Sequence, residues 1–242
     1  MILSRLRSAL VTLGALVVAG AVLSGCIVGK TSTAQSPVVE AITIAPSAAA
    51  GACPTSQPAA LPAGEKRTVA IDTPKGAITM EIDADLSPIA AGNFVALAEC
   101  GYYDDVVFHR LVPGFVIQGG DGQYGRVGAD GKLPPDTAAL AGSGHVGYTI
   151  KDEPVTTKYE RGTVAMARSS GPDSVGSQFF IVLDDAAAQS LADPQYNNYQ
   201  IIGKVTSGME VVDTIAAMPN SGQNSGNAAV NPVPMTKVTV SK

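Results

Sequence analysis

The chain has 242 residues, enough for one or two domains, and 45% of them are hydrophobic, which is sufficient to build a core. Acidic residues outnumber basic residues by 21 to 16 and no basic run occurs, so the composition gives no reason to expect nucleic acid or an anionic membrane patch as a partner. The high hydrophobic content also argues against disorder along the whole length.

The first 25 residues have the pattern of a cleaved targeting segment. Arg5 and Arg7 precede an apolar stretch at residues 9–22, which is short for a membrane span. The stretch leads into Leu-Ser-Gly-Cys at residues 23–26, which resembles the bacterial lipobox, where the cysteine is acylated and the preceding peptide is removed. The resemblance implies a lipoprotein, anchored through Cys26 to the extracytoplasmic face of a cell membrane. An ordinary secretory signal and an uncleaved anchor helix are the alternatives.

The composition then changes to that of a linker. Ala, Ser, Thr, Pro and Gly dominate residues 26–66, and no period of 2 or 3.6 is sustained. Burial cannot offset the entropy cost of ordering such a segment. We therefore expect a signal peptide (1–25), a disordered, lipid-anchored flexible linker (26–66) and a folded domain (67–242).

The domain starts with a predicted hairpin followed by a helix. Residues 68–72 and 77–83 lie on either side of Thr-Pro-Lys-Gly and predict two strands joined by a hairpin turn, the second of them with alternating polarity. Ser87 and Pro88 fit the N-cap and the first position of a helix that ends near residues 100–101.

The rest of the domain predicts more short strands and one more helix, at residues 208–218. The predicted strands are at residues 162–167, 178–183, 200–206 and 235–240, with a loop between the second and third. The glycine-rich passage at residues 119–147 lacks the Lys-Ser/Thr ending of a phosphate-binding loop, which argues against nucleotide binding. Short strands without repeated strand–helix units favour an antiparallel barrel or sandwich.

Chemically informative residues are concentrated in a few stretches. Residues 108–121 read Phe-His-Arg-x2-Pro-Gly-Phe-x2-Gln-Gly-Gly-Asp, residues 162–168 read Gly-Thr-Val-Ala-Met-Ala-Arg, and residues 176–181 read Gly-Ser-Gln-Phe-Phe-Ile. With Ile-Gly-Lys-Val at residues 202–205, the chain resembles the cyclophilins, a family of peptidyl-prolyl cis-trans isomerases. The resemblance implies a mainly β fold, an eight-stranded antiparallel β-barrel capped by two α-helices, with a proline pocket on its outer surface.

The resemblance also implies roles for single residues. Arg110 matches the catalytic arginine of the family, His109 its supporting neighbour, and Gln118 the amide that orients the substrate. Tyr199 falls where many cyclophilins have a histidine in the pocket wall. The other implied substrate-binding residues are Phe115, Val116, Met166, Ala167, Gln178 and Phe180.

The chain departs from the family pattern at the far wall of the pocket. It contains no Trp, and Leu191, Gln195 and Tyr196 are all candidates for the missing part of the wall. The glycine-rich loop at residues 122–147 is also longer than usual. It is either part of an extended groove or a tolerated insertion, and we favour the insertion.

One geometric requirement follows from these assignments. On a regular strand, Phe115 and Gln118 would point to opposite faces, so their convergence on one pocket requires a bend or a bulge.

A metal site and a hydrolase site fit the sequence less well than a proline pocket does. Two His residues and dispersed acids argue against a metal site. A hydrolase would need His109 and Asp121 with one of three candidate serines, but the Gly-x-Ser-x-Gly motif is absent. Those serines are Ser169, Ser170 and Ser177. Rotation about an X–Pro bond requires no cofactor, and we expect none.

Two cysteines of the chain can form a disulfide if the protein is exported. Once Cys26 is acylated, Cys53 and Cys100 remain, and outside the cytoplasm they can form a disulfide. Two free thiols are the alternative.

Two functions therefore stay open. The first is a monomeric, membrane-anchored isomerase that acts on proline-containing segments of secreted or cell-envelope proteins. The second is a binding or chaperone module that uses the same pocket with little turnover.

Overall fold

The computed structural model describes residues 52–193 and 198–242; the predicted signal peptide, Cys26 and the first part of the predicted linker lie outside the described residues. The described chain forms a nine-stranded antiparallel sheet in the order β8-β3-β4-β6-β5-β7-β2-β1-β9. The strands are β1 (Lys66–Thr73), β2 (Gly76–Asp83), β3 (Val106–Val112), β4 (Val116–Gly119), β5 (Thr163–Met166), β6 (Phe179–Val182), β7 (Ile201–Ser207), β8 (Ala228–Met235) and β9 (Lys237–Ser241). The helices are α1 (Pro88–Glu99), α2 (Asp185–Leu191) and α3 (Met209–Ala216).

Alternating polarity determines which face of each strand enters the core. In β2, the side chains of Ile78, Met80 and Ile82 are fully buried, and the residues between them are partly exposed. The hairpin from β1 to β2 closes with Thr73 paired to Gly76. The predicted hairpin and the mainly β antiparallel barrel are confirmed.

The two ends of the sheet meet at Thr236, so the barrel is nearly closed. The terminal strands of the sheet order, β8 and β9, are separated in sequence by this residue alone. Its backbone N–H donates to the carbonyl of Asp72 in β1 at 2.8 Å. The expectation of eight strands missed β8, whose Pro232 and Pro234 argue against a strand in sequence terms. They are tolerated because β8 pairs only with β3 within the sheet.

Two helical features also differ from expectation. The segment predicted to be a loop after β6 contains α2, whose N-cap Asp184 accepts a hydrogen bond from the N–H of Ala187 at 2.8 Å. The described chain therefore has three α-helices rather than two. Helix α1 begins at Pro88 as predicted, but the side chain of Ser87 makes no capping bond. The carboxylate of Glu153 instead accepts from the first free N–H groups of α1, at 2.9 Å each.

Ordered packing begins before Arg67, the predicted start of the domain. A disulfide joins Cys53 to Cys100 at the end of α1, with 5.1 Å between their Cα atoms. Leu61 is buried, and Gln57 accepts a hydrogen bond from the N–H of Lys151. In the chain-entropy description, a cross-link that closes a loop of this length stabilises the fold by about 4 kcal/mol. Residues 53–65 thus belong to the domain rather than to a flexible linker.

No helix within residues 52–193 or 198–242 is both long and apolar enough to cross a membrane.

A register shift in β3 decides which of its side chains face outward. Phe108 pairs with Gly119 of β4, whereas Arg110 pairs with Gln118, so His109 is an extra residue in the ladder. The ladder between β3 and β8 shifts at the same place. Because a bulge interrupts the alternation of faces, Phe108 lies in the core while Arg110 is only half-buried.

The extra residue, His109, is itself buried. Its side chain is 5% exposed, and neither ring nitrogen has a hydrogen-bond partner among the described residues. Gly142 lies so close that an added Cβ would come within 2.8 Å of the imidazole Cδ2. Burial lowers the pKa of His109 from 6.5 to about 4 and outweighs the opposing effect of the Asp121 carboxylate. The ring of His109 is therefore neutral near pH 7 and packs against Gly142 of the glycine-rich loop. This position is compatible with the supporting role implied for His109, which stays a prediction.

Burial of His109 predicts a loss of stability in acid. Between pH 6.5 and about pH 4, the unfolded chain binds a proton at this position and the folded chain does not. The free energy of unfolding should therefore fall as the pH drops through this window, by about 3 kcal/mol from this group. Chemical denaturation at pH 7 and pH 4 should show a smaller loss in His109→Gln than in wild type. The exposed His145 provides the control, since His145→Gln should retain the wild-type loss; equal losses in wild type and His109→Gln would contradict the prediction.

Candidate functional site

The site is built on the outer face of the barrel, where β4 lies between β3 and β6. Arg110 and Gln118 are paired across β3 and β4, and Gln118 is also paired with Phe180 of β6. Directly opposed residues in antiparallel strands share a face. Three side chains that are distant in the sequence are therefore placed side by side.

Hydrogen bonds connect Arg110 to the glycine-rich loop through two amide side chains. Nη1 of Arg110 donates to Oε1 of Gln118 at 3.2 Å, and Nε2 of Gln118 donates to Oε1 of Gln178 at 2.9 Å. Nε2 of Gln178 then donates to the carbonyls of Gly142 and Gly144, at 3.0 and 2.9 Å. Each amide therefore has a defined orientation, and the direction of donation runs from the arginine to the loop.

Asp121 holds the far end of this hydrogen-bonded chain. Its carboxylate is fully buried and accepts from the N–H groups of Gly142 and Gly144 at 2.7 and 2.9 Å. It also accepts from the N–H groups of Gln123 and Tyr124, both at 3.0 Å. A buried carboxylate that accepts several backbone hydrogen bonds fixes the loop around it. The sequence indicated Asp121 only as a member of a hydrolase site, and its role in the loop was missed.

Arg110 is charged, and no acidic side chain among the described residues pairs with it. Its Nε donates to the carbonyl of Gly226 at 3.3 Å, and none of the ion pairs among the described residues involves Arg110. Burial lowers the pKa of Arg110, but an arginine remains protonated at neutral pH. Nη2 has no hydrogen-bond acceptor in the part of the chain that the structure describes.

Beside Arg110 lies a cavity of about 210 Å³, named here the aromatic cavity. Its polar lining comes from Arg110, Gln118 and Arg168. Its floor and walls are formed by Phe115, Val116, Ala167, Phe180, Leu191 and Tyr199. Phe115 lies in the turn before β4, not on the strand, which is how it reaches the same cavity as Gln118. The required irregularity is thus supplied by this turn, while the bulge lies in β3.

Tyr199 and Leu191 form the far wall of the aromatic cavity. The ring of Tyr199 meets Phe180 edge-on, with 5.4 Å between centroids. The hydroxyl of Tyr159 donates to the carbonyl of Tyr199 at 2.9 Å and accepts from its N–H at 3.2 Å. Tyr199 therefore occupies the wall position implied for it, and Leu191 of α2 completes the described part of the wall. The other two candidates, at positions 195 and 196, lie outside the described residues.

A second cavity of about 390 Å³, named here the polar cavity, adjoins the first. The two share Gln118, Ala167 and Arg168. Residues 142–145 of the glycine-rich loop also line the polar cavity. This lining favours, for residues 142–145, the alternative that they form part of an extended groove, while the insertion remains the prediction for the rest of the loop.

Met166 is the one implied substrate-binding side chain that faces elsewhere. It is fully buried in the barrel core, because Val164 and Met166 of β5 point inward while Ala165 points outward. Its assignment to the substrate groove is wrong. Arg168, which lines both cavities, was missed, because nothing in the local pattern distinguishes it from a solvent-exposed arginine after a strand.

Among the described residues, no group of three or more His, Cys, Asp or Glu side chains is placed to hold a metal ion. The side chains present at the site are two cations, Arg110 and Arg168, the oriented amides of Gln118 and Gln178, and an apolar cavity.

Comparisons with known proteins agree with this geometry. The sequence model of the family described as cyclophilin type peptidyl-prolyl cis-trans isomerase/CLD matches residues 68–240. A probable peptidyl-prolyl cis-trans isomerase of Brucella abortus (strain 2308) is 36% identical over 189 residues, which cover 74% of this chain and 84% of the relative. A peptidyl-prolyl cis-trans isomerase of Acinetobacter baylyi is 34% identical over 160 residues, covering 63% and 73%.

Solved structures show the same relationship. A cyclophilin type peptidyl-prolyl cis-trans isomerase of Cryptosporidium parvum aligns with a TM-score of 0.57 and 28% identity, covering 74% of this chain and 99% of that chain. The structure of the same type of protein in the presence of the dipeptide Ala-Pro aligns with a TM-score of 0.54 and 29% identity, covering 72% and 99%. The length of the family match and the identity to curated relatives lead to one conclusion: this chain belongs to the cyclophilin-type peptidyl-prolyl cis-trans isomerases.

Proposed function

We propose that this chain accelerates cis–trans rotation of X–Pro bonds in proteins at the extracytoplasmic face of a membrane. The observation that carries the isomerase activity is the position of Arg110, a cation without an acidic partner among the described residues, at the edge of the aromatic cavity and beside Gln118. The names of the relatives support this activity. The relative solved in the presence of Ala-Pro supports a proline-containing substrate.

The barrier to be lowered arises from resonance in the amide. Sharing of the nitrogen lone pair with the carbonyl gives a rotation barrier of about 18–20 kcal/mol and uncatalysed times of about 10–100 s. Reaching milliseconds requires a reduction of about 5–7 kcal/mol. Only interactions that are stronger in the twisted state than in the planar state contribute to it.

The residues around the aromatic cavity can supply such an interaction. The pyrrolidine ring enters the cavity against Phe115 and Phe180, while Nη2 of Arg110 donates to the prolyl nitrogen as it becomes pyramidal. A planar amide nitrogen is a poor acceptor, so this hydrogen bond strengthens with twisting. Gln118 uses one N–H on Gln178 and keeps its second N–H for a neighbouring substrate carbonyl. One half of the peptide is thereby held while the other half rotates.

Substitution of Arg110 tests the mechanism. Arg110→Ala should lower kcat/KM for a short proline-containing peptide by about 100-fold or more, equivalent to about 3 kcal/mol of transition-state stabilisation. Arg110→Lys should recover little of the loss, because a lysine lacks the planar fork that bonds Gln118 and the substrate together. Exchange measurements by NMR give the rates, and Arg126→Ala, a substitution of an exposed arginine, is the matched control.

The same assay separates the two functions that the sequence leaves open. Equal isomerisation rates for wild type and Arg110→Ala, with peptide binding intact in both, would contradict the isomerase mechanism. If both rates also equal the uncatalysed rate, the result favours the proline-pocket binding or chaperone module.

The proposed location rests on the N-terminal sequence and on the disulfide. Leu-Ser-Gly-Cys at residues 23–26 follows a cationic and then an apolar stretch, and acylation of Cys26 would provide the membrane anchor. The Cys53–Cys100 disulfide supports an oxidising compartment.

Fractionation of bacteria that express the full chain tests the anchor. Wild type should sediment with the membrane fraction and incorporate radiolabelled palmitate, because an acyl chain is needed to hold an otherwise water-soluble domain at a bilayer. Cys26→Ser should do neither. A Cys26→Ser chain that still sediments with membranes would point to an uncleaved anchor helix instead.

A further inference from the structure

Arg168 is a nearly buried cation that lies where the two cavities meet. It follows β5 after one intervening residue, lines both the aromatic and the polar cavity, and its side chain is only 10% exposed. Nη2 donates to Oδ2 of Asp152 at 2.9 Å and to the carbonyl of Gly171 at 2.7 Å. Burying a charge is costly unless it is paired and hydrogen-bonded. These contacts satisfy that requirement while keeping the guanidinium at the junction.

The second terminal nitrogen of the Arg168 guanidinium contacts the wall of the aromatic cavity. Nη1 of Arg168 donates to the carbonyl of Asn198 at 3.3 Å, and the next residue is Tyr199. The hydroxyl of Tyr159 holds the backbone N–H and carbonyl of Tyr199. Tyr199 is therefore held on two sides, and Arg168 provides the contact that faces both cavities.

The ion pair between Arg168 and Asp152 also connects two segments beside the polar cavity. Asp152 accepts from the N–H of Asp173 at 2.9 Å, and its own N–H donates to Oδ1 of Asp173 at 2.8 Å. The segment around Asp152 is thus joined to the loop that includes Ser169 and Ser174, which line the polar cavity. Arg168 thus contacts the walls of both cavities.

We propose that Arg168 is a specificity-determining residue of the isomerase, whose guanidinium separates the two cavities and fixes the distance between their walls. The inference rests on the proposed function. A peptide that places proline in the aromatic cavity and an earlier residue in the polar cavity must cross this partition, so the partition limits the size of the residues before proline. Lysine cannot replace it, because an ammonium group cannot bond Asp152, Gly171 and Asn198 in one plane.

The test compares peptides that differ only in the residues before proline, with small or bulky side chains at the two preceding positions. Wild type, Arg168→Met, Arg168→Lys and Asp152→Asn are assayed for kcat and KM separately, by NMR exchange at several peptide concentrations. Lys151→Met is the matched control, because it removes a mostly exposed ion pair to Asp173 in the same network.

Both Arg168 variants should change the ratio of kcat/KM between bulky and small peptides by at least about fivefold, chiefly through KM. Asp152→Asn should change the ratio in the same direction, and this variant also tests the inference if the Arg168 variants do not fold. Lys151→Met should leave the ratio as in wild type.

An unchanged ratio in folded variants of an active enzyme would overturn the inference, as would an equal loss for every peptide, which is what a purely structural role predicts. Absence of isomerisation by wild type would overturn the proposed function instead, and the two failures are thereby distinguished.

Discussion

A single buried carboxylate, that of Asp121, orients the polar side chains that lead to Arg110. By accepting from the N–H groups of two loop glycines, it fixes the carbonyls that hold Gln178, and through Gln178 and Gln118 it fixes Arg110. This partly buried network is restrained, because a reorientation of one amide would leave polar groups of its neighbours without a partner. Arg110 is therefore oriented before the substrate arrives, which is the condition for electrostatic stabilisation of a transition state.

Arg110 can face outward from the barrel only because β3 contains a bulge. With regular alternation, Phe108 and Arg110 would point to the same face, and either the core would lose a ring or the site would lose its cation. The bulge at His109 avoids this conflict, and it leaves an imidazole buried without a hydrogen-bond partner among the described residues. The His109 ring in turn packs against Gly142, one of the two glycines whose backbones connect Asp121 to Gln178. The bulge and the hydrogen-bonded chain thus depend on each other.

Much of the fold and part of the site could be predicted from the sequence, because they depend on local patterns. Alternation gave the hairpin and most strands, and the motifs that resemble cyclophilins gave the outward-facing residues of β3, β4 and β6. Features set by distant contacts could not be predicted. Pro232 and Pro234 argue against a strand where β8 forms. Glu153 caps a helix more than 60 residues away in sequence. The position of the Arg168 side chain depends on its ion pair with Asp152 and on the fold of the loop that follows it. Met166 was misplaced because a motif match does not specify the face of a strand.

The most direct test of this arrangement is a double-mutant cycle between Arg110→Ala and Asp121→Asn, with kcat/KM for one peptide as the readout. If Asp121 acts by orienting Arg110, Asp121→Asn should lower kcat/KM by about tenfold, or about 1.4 kcal/mol, in wild type and by less than about twofold in Arg110→Ala. Asp130→Asn, which alters an exposed carboxylate that also accepts a backbone N–H in this loop, should have no effect in either background. A tenfold loss from Asp121→Asn in both backgrounds would contradict the link between the buried carboxylate and the arginine.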